Sequence, residues 1–300
     1  MLNAAGPVGA AAEDGVRFGV LGPIQVVVGV DARQVSAAKQ RIVLAALLLG
    51  AGRTVSAASL AEALWDASPP PNAATVMRTY VMRLRRALGP VGGRIVGHPS
   101  GLAIELRCPG ELDLLEVDRL ARAARTAAEK GDWRQVSAQL TKALRLWRGD
   151  ALVDVPSAAL ARREAARFSE LRLQLTESRV DADLRLGRHK ELVADLRRLA
   201  AEHPLREHIR AQLMSACYHC GLQAEALQVY RDARQTLVGE LGVEPGPELR
   251  EMHRRILASD PGKTAANEDE RTQLARLRKE NAQLASELDA FKRGAALPVT

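Results

Sequence analysis

The side chains best suited to chemistry are two threonines and three arginines that recur at intervals of three and four residues. They are Thr75, Arg78, Thr79, Arg83 and Arg86. At 3.6 residues per turn these side chains share one helix face, and hydroxyl and guanidinium groups read base edges in the major groove of DNA. No acidic residue lies between Asp66 and Glu105, so this face carries one sign of charge, which suits phosphates. The alternative is an ordinary solvated helix face, which usually mixes both signs.

The segment that would carry these side chains is residues 73–88, whose pattern is that of one amphipathic helix. Asn72 is a favourable N-cap, and Gly89 followed by Pro90 is a typical stop signal. The opposite face is apolar, and the spacing predicts burial of Met77, Tyr80, Val81, Leu84 and Leu88. The pattern therefore predicts a recognition helix whose back packs on a core.

Other chemistry-bearing residues are sparse. Cys217 and Cys220 flank His219 at a metal-ligand spacing, but they fall in a predicted helix without a second ligand pair, which favours ordinary packing over zinc. The six histidines are scattered, and the sequence contains neither a nucleophile elbow nor a phosphate-binding glycine loop. We expect no catalytic residues, no metal and no cofactor, and hence no enzyme.

The length of the chain and the distribution of its charge indicate two domains, of which the first is basic. Its 300 residues predict two domains, and 47% apolar with only 3% aromatic residues favours helix packing. The net charge is +7, and residues 15–109 hold the excess, with eleven Lys and Arg against four Asp and Glu. With three cysteines, no signal peptide and no apolar run near twenty residues, the protein is expected to be cytoplasmic, associated with the nucleoid and without a membrane partner.

The first domain has the pattern of a winged helix. Residues 1–14 are expected to be disordered, after which alternating apolar residues predict a small antiparallel sheet. Apolar helices follow from Lys39 and from the N-cap Ser56, then the recognition helix, and then two strands joined across residues 98–101. A small sheet, three helices and a hairpin wing make this an α+β domain over residues 15–109.

The second domain, residues 110–259, is predicted to be all α-helical. Gly187 and Gly221 lie 34 residues apart, and each is followed four residues later by glutamate and two apolar residues. A period of 34 residues is typical of tetratricopeptide (TPR) repeats, in which paired helices stack into a scaffold. We expect a TPR-like domain, a scaffold whose concave face often binds a partner that the sequence does not name.

The last segment has a different pattern. After a linker over residues 260–270, residues 271–293 carry a heptad seam with asparagine at one a position. The seam consists of Leu274, Leu277, Asn281, Leu284, Leu288 and Phe291. This pattern predicts a short coiled-coil-like helix, and two interpretations stay open: a homodimer zipper, or a helix packed on its own protein.

Several of these motifs, in this order, closely resemble the SARP family, the Streptomyces antibiotic regulatory proteins. In the first domain, residues 39–41, 60–65 and 80–89 resemble that family's OmpR-type winged helix. The motifs similar to the family's bacterial transcriptional activator domain lie at residues 110–113, 146–149, 187–189, 203–207 and 240–249. The resemblance covers residues 15–259, with one departure: the family wing usually has Gly-Tyr where this chain has Gly101-Leu102.

The resemblance implies a sequence-specific activator that binds direct repeats in double-stranded promoter DNA near the −35 element. It also implies recruitment of RNA polymerase holoenzyme, through sigma and other subunits, at a secondary-metabolite gene cluster. Thr75, Thr79 and Arg83 would contact bases and Arg78, Arg85 and Arg86 phosphates, while Lys39, Arg41 and Arg94 complete the expected DNA-binding set. The alternative is a helical-repeat adaptor whose basic domain docks on nucleic acid without sequence preference.

The loop before the recognition helix is a second candidate contact. By the same resemblance, polymerase would approach the loop between the second and third helices, here Asp66, Ala67 and Ser68 followed by three prolines. Proline fixes φ, so this loop is expected to be stiff. An equally good interpretation is that the prolines only preset the turn into the helix.

Overall fold

The structure is a computed structural model that describes residues 15–258. The chain divides into two compact units after Arg188. The predictions for residues 1–14, for the linker at 260–270 and for the heptad seam at 271–293 lie outside the described residues.

The first unit begins with an antiparallel sheet, and a second such sheet carries the wing. The strands of the first are β1 (Val16–Gly19), β2 (Gln25–Val28) and β3 (Asp31–Arg33), in that order. The strands of the second are β4 (Val55–Ser56), β5 (Ile95–His98) and β6 (Gly101–Ile104), in the order β4-β6-β5. Phe18 pairs with Val26 across the first sheet and both are buried, as the alternating pattern predicts.

Three helices lie between the first sheet and the wing hairpin. They are α1 (Ala38–Gly50), α2 (Ala57–Trp65) and α3 (Ala73–Leu88). Every residue of α1 from Ile42 to Leu49 is buried, which explains why that stretch is apolar on all sides. The hydroxyl of Ser56 caps α2 by accepting from the backbone N–H of Ser59 at 3.0 Å. The predicted winged helix is confirmed.

Three further helices belong to the first unit: α4 (Asp113–Glu129), α5 (Trp133–Leu144) and α6 (Ala158–Arg185). The carboxylate of Asp113 accepts from the backbone N–H of Val20 at 2.9 Å and of Leu21 at 3.0 Å, and the backbone N–H of Arg148 donates to the Leu21 carbonyl at 2.8 Å. The hydroxyl of Ser157 donates to the Ala63 carbonyl at 2.6 Å. The winged helix and these helices therefore share one continuous hydrophobic core.

The described residues of the second unit form four α-helices and the turns that connect them. Its helices are α7 (His189–Glu202), α8 (Glu207–His219), α9 (Gln223–Leu241) and α10 (Pro247–Ala258). The turns that follow α4, α6 and α8 contain Gly131, Gly187 and Gly221 at φ of +71°, +79° and +77°. A residue with a Cβ is strained at such angles, so the recurring glycines mark equivalent turns of a repeat. The predicted TPR-like helical architecture is confirmed.

A stacked histidine pair predicts that the stability of the second unit depends on pH. The rings of His189 and His219 lie 4.1 Å apart at 10° to one another, and burial, followed by the proximity of His219, lowers the pKa of His189. Because the unfolded chain protonates His189 near pH 6.5 and the folded chain only at lower pH, the free energy of unfolding should fall as pH drops below that value.

Urea unfolding at pH 7.5 and pH 5.5, followed by a probe of the second unit, measures this dependence. The His189→Gln variant should show a smaller change between the two pH values than the wild type. His98→Gln, in the wing hairpin of the first unit, is the matched control and should not alter it. An unchanged pH dependence in the His189 variant would contradict the assignment.

Candidate nucleic-acid interface

The helix α3 exposes the face that its sequence predicts. The side chains of Thr75, Arg78, Met82, Arg83 and Arg86 are exposed and that of Thr79 is half-buried. The opposite face buries Met77, Val81, Leu84 and Leu88 in the core. Tyr80 is half-buried, with its ring 6.4 Å from that of Trp65. The predicted division of α3 into a core face and a polar face is confirmed.

The start of α3 differs from the prediction in one respect. Asn72 occupies the N-cap position, but its side chain makes no capping hydrogen bond, so the predicted side-chain cap is wrong. The residue has φ −103° and ψ 30° instead of the extended conformation in which an N-cap oxygen reaches the second or third helical N–H. Backbone groups begin the helix instead, since the Asn72 carbonyl accepts from the N–H groups of Thr75 at 3.0 Å and Val76 at 3.1 Å.

Three arginines of α3 have their donors available. Within residues 15–258, Arg78, Arg83 and Arg86 make neither a hydrogen bond nor an ion pair. Thr79 donates its hydroxyl to the Thr75 carbonyl at 3.2 Å, which leaves the hydroxyl oxygen able to accept. At 1.5 Å per residue, the exposed stripe from Thr75 to Arg86 is about 16 Å long. This length matches about five base-pair steps of B-DNA at 3.4 Å each.

Three other cations of the sequence-predicted set are engaged inside the protein. The Lys39 ammonium donates to the Leu64 carbonyl at the end of α2. Arg41 donates to the Asp154 carbonyl at 2.9 Å and lies 3.4 Å from its carboxylate. These contacts hold the start of α1 within the fold, because both side chains are partly buried.

Arg94 is held by a buried ion pair. Its guanidinium lies 2.7 Å from the carboxylate of Glu111, with only 13% and 10% of the two side chains exposed. The same carboxylate oxygen accepts from the backbone N–H of Arg107 at 2.8 Å. A guanidinium that is this buried and paired is poorly placed to reach a phosphate, so we leave Lys39, Arg41 and Arg94 out of the proposed contact set.

Arg85 connects α3 to the wing. Its guanidinium donates twice to the Ile95 carbonyl, at 2.8 Å and 3.2 Å, where β5 begins. The residue remains exposed, so it can also face a phosphate, but its geometry assigns it a positioning role for the wing.

The wing hairpin lies beside the exposed face of α3. Its turn exposes His98, Pro99 and Ser100, and together with α3 residues that include Arg78 and Met82 it lines a cavity of about 710 Å³. A Cβ on Gly101 would lie 2.0 Å from the Val55 carbonyl oxygen, so only glycine permits the close approach of β6 to β4. Leu102, which stands where the family wing usually has tyrosine, is half-buried.

Two further exposed residues of this surface are absent from the contact set that the sequence predicts. Met82 is 52% exposed in the middle of the polar stripe, and an apolar side chain there suits the methyl group of thymine. His98 is exposed at the tip of the wing. A large apolar residue on an otherwise polar helix face was the available signal for Met82, whereas nothing in the local pattern distinguished His98.

The loop between α2 and α3 is held through its acidic residue. The Asp66 carboxylate forms a two-point ion pair with Arg162 of α6, at 2.6 Å and 3.1 Å. The guanidinium holds the pKa of Asp66 below its usual range. Ala67 and Ser68 are exposed and carry no such contact. Asp66 is therefore a tether for the loop, and the accessible part consists of its two neighbours.

Cys217 lies in α8, and Cys220 follows directly after the end of that helix. Cys217 is buried, and burial raises the pKa of its thiol, while Cys220 is half-buried. Among residues 15–258, no three His, Cys, Asp or Glu side chains cluster in a way that could hold a metal ion. In the same part of the chain, no helix combines the length and apolar content needed to span a bilayer.

Comparison with known proteins identifies both parts of the chain. Residues 35–97 match the family model described as Transcriptional regulatory protein, C terminal, and residues 112–257 match that of the Bacterial transcriptional activator domain. The regulatory protein DnrI of Streptomyces peucetius is 38% identical over 235 residues, which cover 75% of this chain and 86% of DnrI. The chain belongs to the SARP family of transcriptional regulators.

Two further relatives of this SARP protein are a longer regulator and a protein of known structure. The regulatory protein AfsR of Streptomyces coelicolor is 45% identical over 246 residues, which cover 82% of this chain but only 24% of AfsR. This SARP chain thus spans about a quarter of the length of that relative. A structure of Mycobacterium tuberculosis EmbR with a low-affinity phosphopeptide superposes with a TM-score of 0.78 at 32% identity, covering 88% of this chain and 71% of EmbR.

Proposed function

We propose that this SARP-type regulator is an activator that reads direct repeats near the promoter −35 element through α3 and recruits RNA polymerase. The observation that carries the proposal is the exposed face of α3, on which three arginines lack partners among the described residues and no acidic residue occurs. Such a face has the donors for bases and the charge for phosphates. The proposed control of a secondary-metabolite gene cluster rests on the family resemblance alone.

The position of each side chain along α3 indicates which part of the DNA repeat it would contact. Thr75, Thr79 and Arg83 would contact base edges, with Met82 against a thymine methyl group, while Arg78 and Arg86 would contact phosphates. The stripe spans about 16 Å, so each repeat should contain a core of about five base pairs. Two copies of the chain, one on each repeat, would occupy a direct repeat, and a homodimer is one way to supply them.

Hydroxyl-radical footprinting on a candidate promoter tests this proposal. The expected result is two discrete protected segments upstream of the transcription start, one on each of two repeats that have the same orientation. Competition with random DNA should leave these segments protected, because specific binding exceeds non-specific binding by a factor of about 10³ or more. Retardation without a discrete footprint would favour the alternative, a helical-repeat adaptor that docks on nucleic acid without sequence preference.

The loop before α3 is the proposed contact for RNA polymerase, through Ala67 and Ser68 with Asp66 as the tether. The double variant Ala67→Gln, Ser68→Gln enlarges the exposed part and leaves the ion pair between Asp66 and Arg162 intact. Its affinity for the operator should stay within about threefold of the wild type, near 0.6 kcal/mol, because the loop lies outside the arginine face. Promoter output should fall much further.

Gel-shift titration and single-round transcription on the same promoter provide the two measurements. Ala166→Gln, at an exposed position of α6, is the control for added bulk and should alter neither. Normal output from the loop variant would show that activation proceeds through the helical part of the chain.

A further inference from the structure

The first unit contains a second concave surface, remote in sequence from α3. α5 packs against both α4 and α6, and an open groove of about 550 Å³ lies along the three helices. Its apolar lining includes Ala124 of α4, Leu175 of α6, and Trp133, Val136 and Leu140 of α5. This volume lies within the range of about 300 to 1,000 Å³ that is typical of small-molecule sites.

Arginine is the most frequent polar residue in the lining of this groove, which also includes Gln174 and Ser178. Arg122 and Arg125 of α4 line it, and neither makes a hydrogen bond or an ion pair within residues 15–258. Arg185 of α6 also lines it, with its guanidinium carbon 4.3 Å from the centre of the Trp133 ring. Asp118 and Asp181 line the same groove, so its lining contains three guanidinium groups and two carboxylates.

The combination of groups indicates the class of ligand. An aromatic ring and aliphatic side chains favour an apolar body, because burying apolar surface releases about 25 cal/mol per Å². Guanidinium groups form strong, two-point hydrogen bonds with carboxylates. Small residues also leave the groove open, since leucine at Ala124 or Ala128 would fill space that a ligand could occupy.

We propose that the groove between α4 and α6 binds a small amphipathic carboxylic acid. The apolar body packs on Trp133 and Leu175, and the carboxylate pairs with Arg122 and Arg125. The proposal concerns a site separate from α3 and does not depend on which DNA sequence the protein reads.

Isothermal titration of the full chain with naphthalene-2-carboxylate tests the proposal, and naphthalene-2-carboxamide is the uncharged comparison. The acid should bind saturably, and the amide at least tenfold more weakly. The double variant Arg122→Gln, Arg125→Gln should lose at least tenfold in affinity for the acid but not for the amide. Ala128→Leu, at a half-buried position of the lining, should weaken both.

Arg119→Gln is the matched control, because Arg119 lies on α4 but pairs with Glu116 at 2.6 Å. It should leave the affinity for the acid unchanged. The proposal is overturned if the acid does not bind at millimolar concentration, if acid and amide bind equally, or if the double variant binds the acid like the wild type. A thermal unfolding midpoint equal to that of the wild type confirms that each variant is folded, and DNA titration of the same samples reports on the proposed function separately.

Discussion

The Arg83→Ala variant is expected to bind a specific operator about 5- to 150-fold more weakly than the wild type, equivalent to about 1 to 3 kcal/mol. The side chain is exposed near the middle of the α3 stripe and has no partner within the described residues, so its removal costs the fold nothing. The loss should be concentrated at one base pair, where the variant should accept substitutions that the wild type rejects. Quantitative gel shifts on an operator series with single substitutions measure both effects.

Arg86→Ala is the matched control on the same face. A phosphate contact carries no sequence information, so this variant should weaken binding to operator and random DNA alike and lower the salt slope by about one. Equal losses on operator and random DNA for Arg83→Ala would contradict its assignment to a base.

The Glu111→Gln variant should have the largest effect on stability. The Glu111 carboxylate, 10% exposed, faces the Arg94 guanidinium, which is 13% exposed. Removing its charge leaves a buried cation uncompensated, for which losses of about 3 to 5 kcal/mol are typical. Glutamine keeps an acceptor for the Arg107 N–H, so we expect a decrease near the lower end, about 3 kcal/mol, in the free energy of unfolding of the first unit.

Denaturant unfolding of the full chain with a probe in the first unit measures the loss. Glu116→Gln is the control, since its partner Arg119 is 53% exposed and surface pairs contribute about 0 to 1 kcal/mol. Similar small losses in both variants would show that the pair with Arg94 is not an important stabilising contact.

The sequence predicted the elements of the winged helix and the orientation of α3 because those depend on local periodicity. Met77, Val81 and Leu84 recur at helical spacing, and the structure buries all three. Whether a lysine or arginine side chain is free to contact DNA depends instead on its contacts with residues distant in sequence, which no local pattern reveals. Lys39 contacts a residue 25 positions away, Arg41 one 113 positions away, and Arg94 one 17 positions away.

Local reasoning also missed features that depend on backbone conformation. The type of residue at Asn72 suits a cap, but the conformation of the turn after the prolines decides whether its side chain reaches the helix. Arg85 was predicted to contact phosphate, and only the fold shows that it also holds the wing strand at Ile95.

The contacts that join the winged helix to α4 and α6 bear on attempts to retarget the protein by grafting. A chimera joined at residue 109 would place the winged helix of another protein before residues 110–258 of this chain. That winged helix would have to contact the carboxylate of Asp113, the backbone of Arg148 and the hydroxyl of Ser157. Each of these now serves a specific backbone group on the other side of the splice. A foreign domain that does not present these backbone groups in the same place would lose the three hydrogen bonds, and a buried polar group left without its partner costs about 1 to 3 kcal/mol. The exchangeable part is therefore residues 15–188, even though the proposed DNA-reading surface lies within a single helix and its wing.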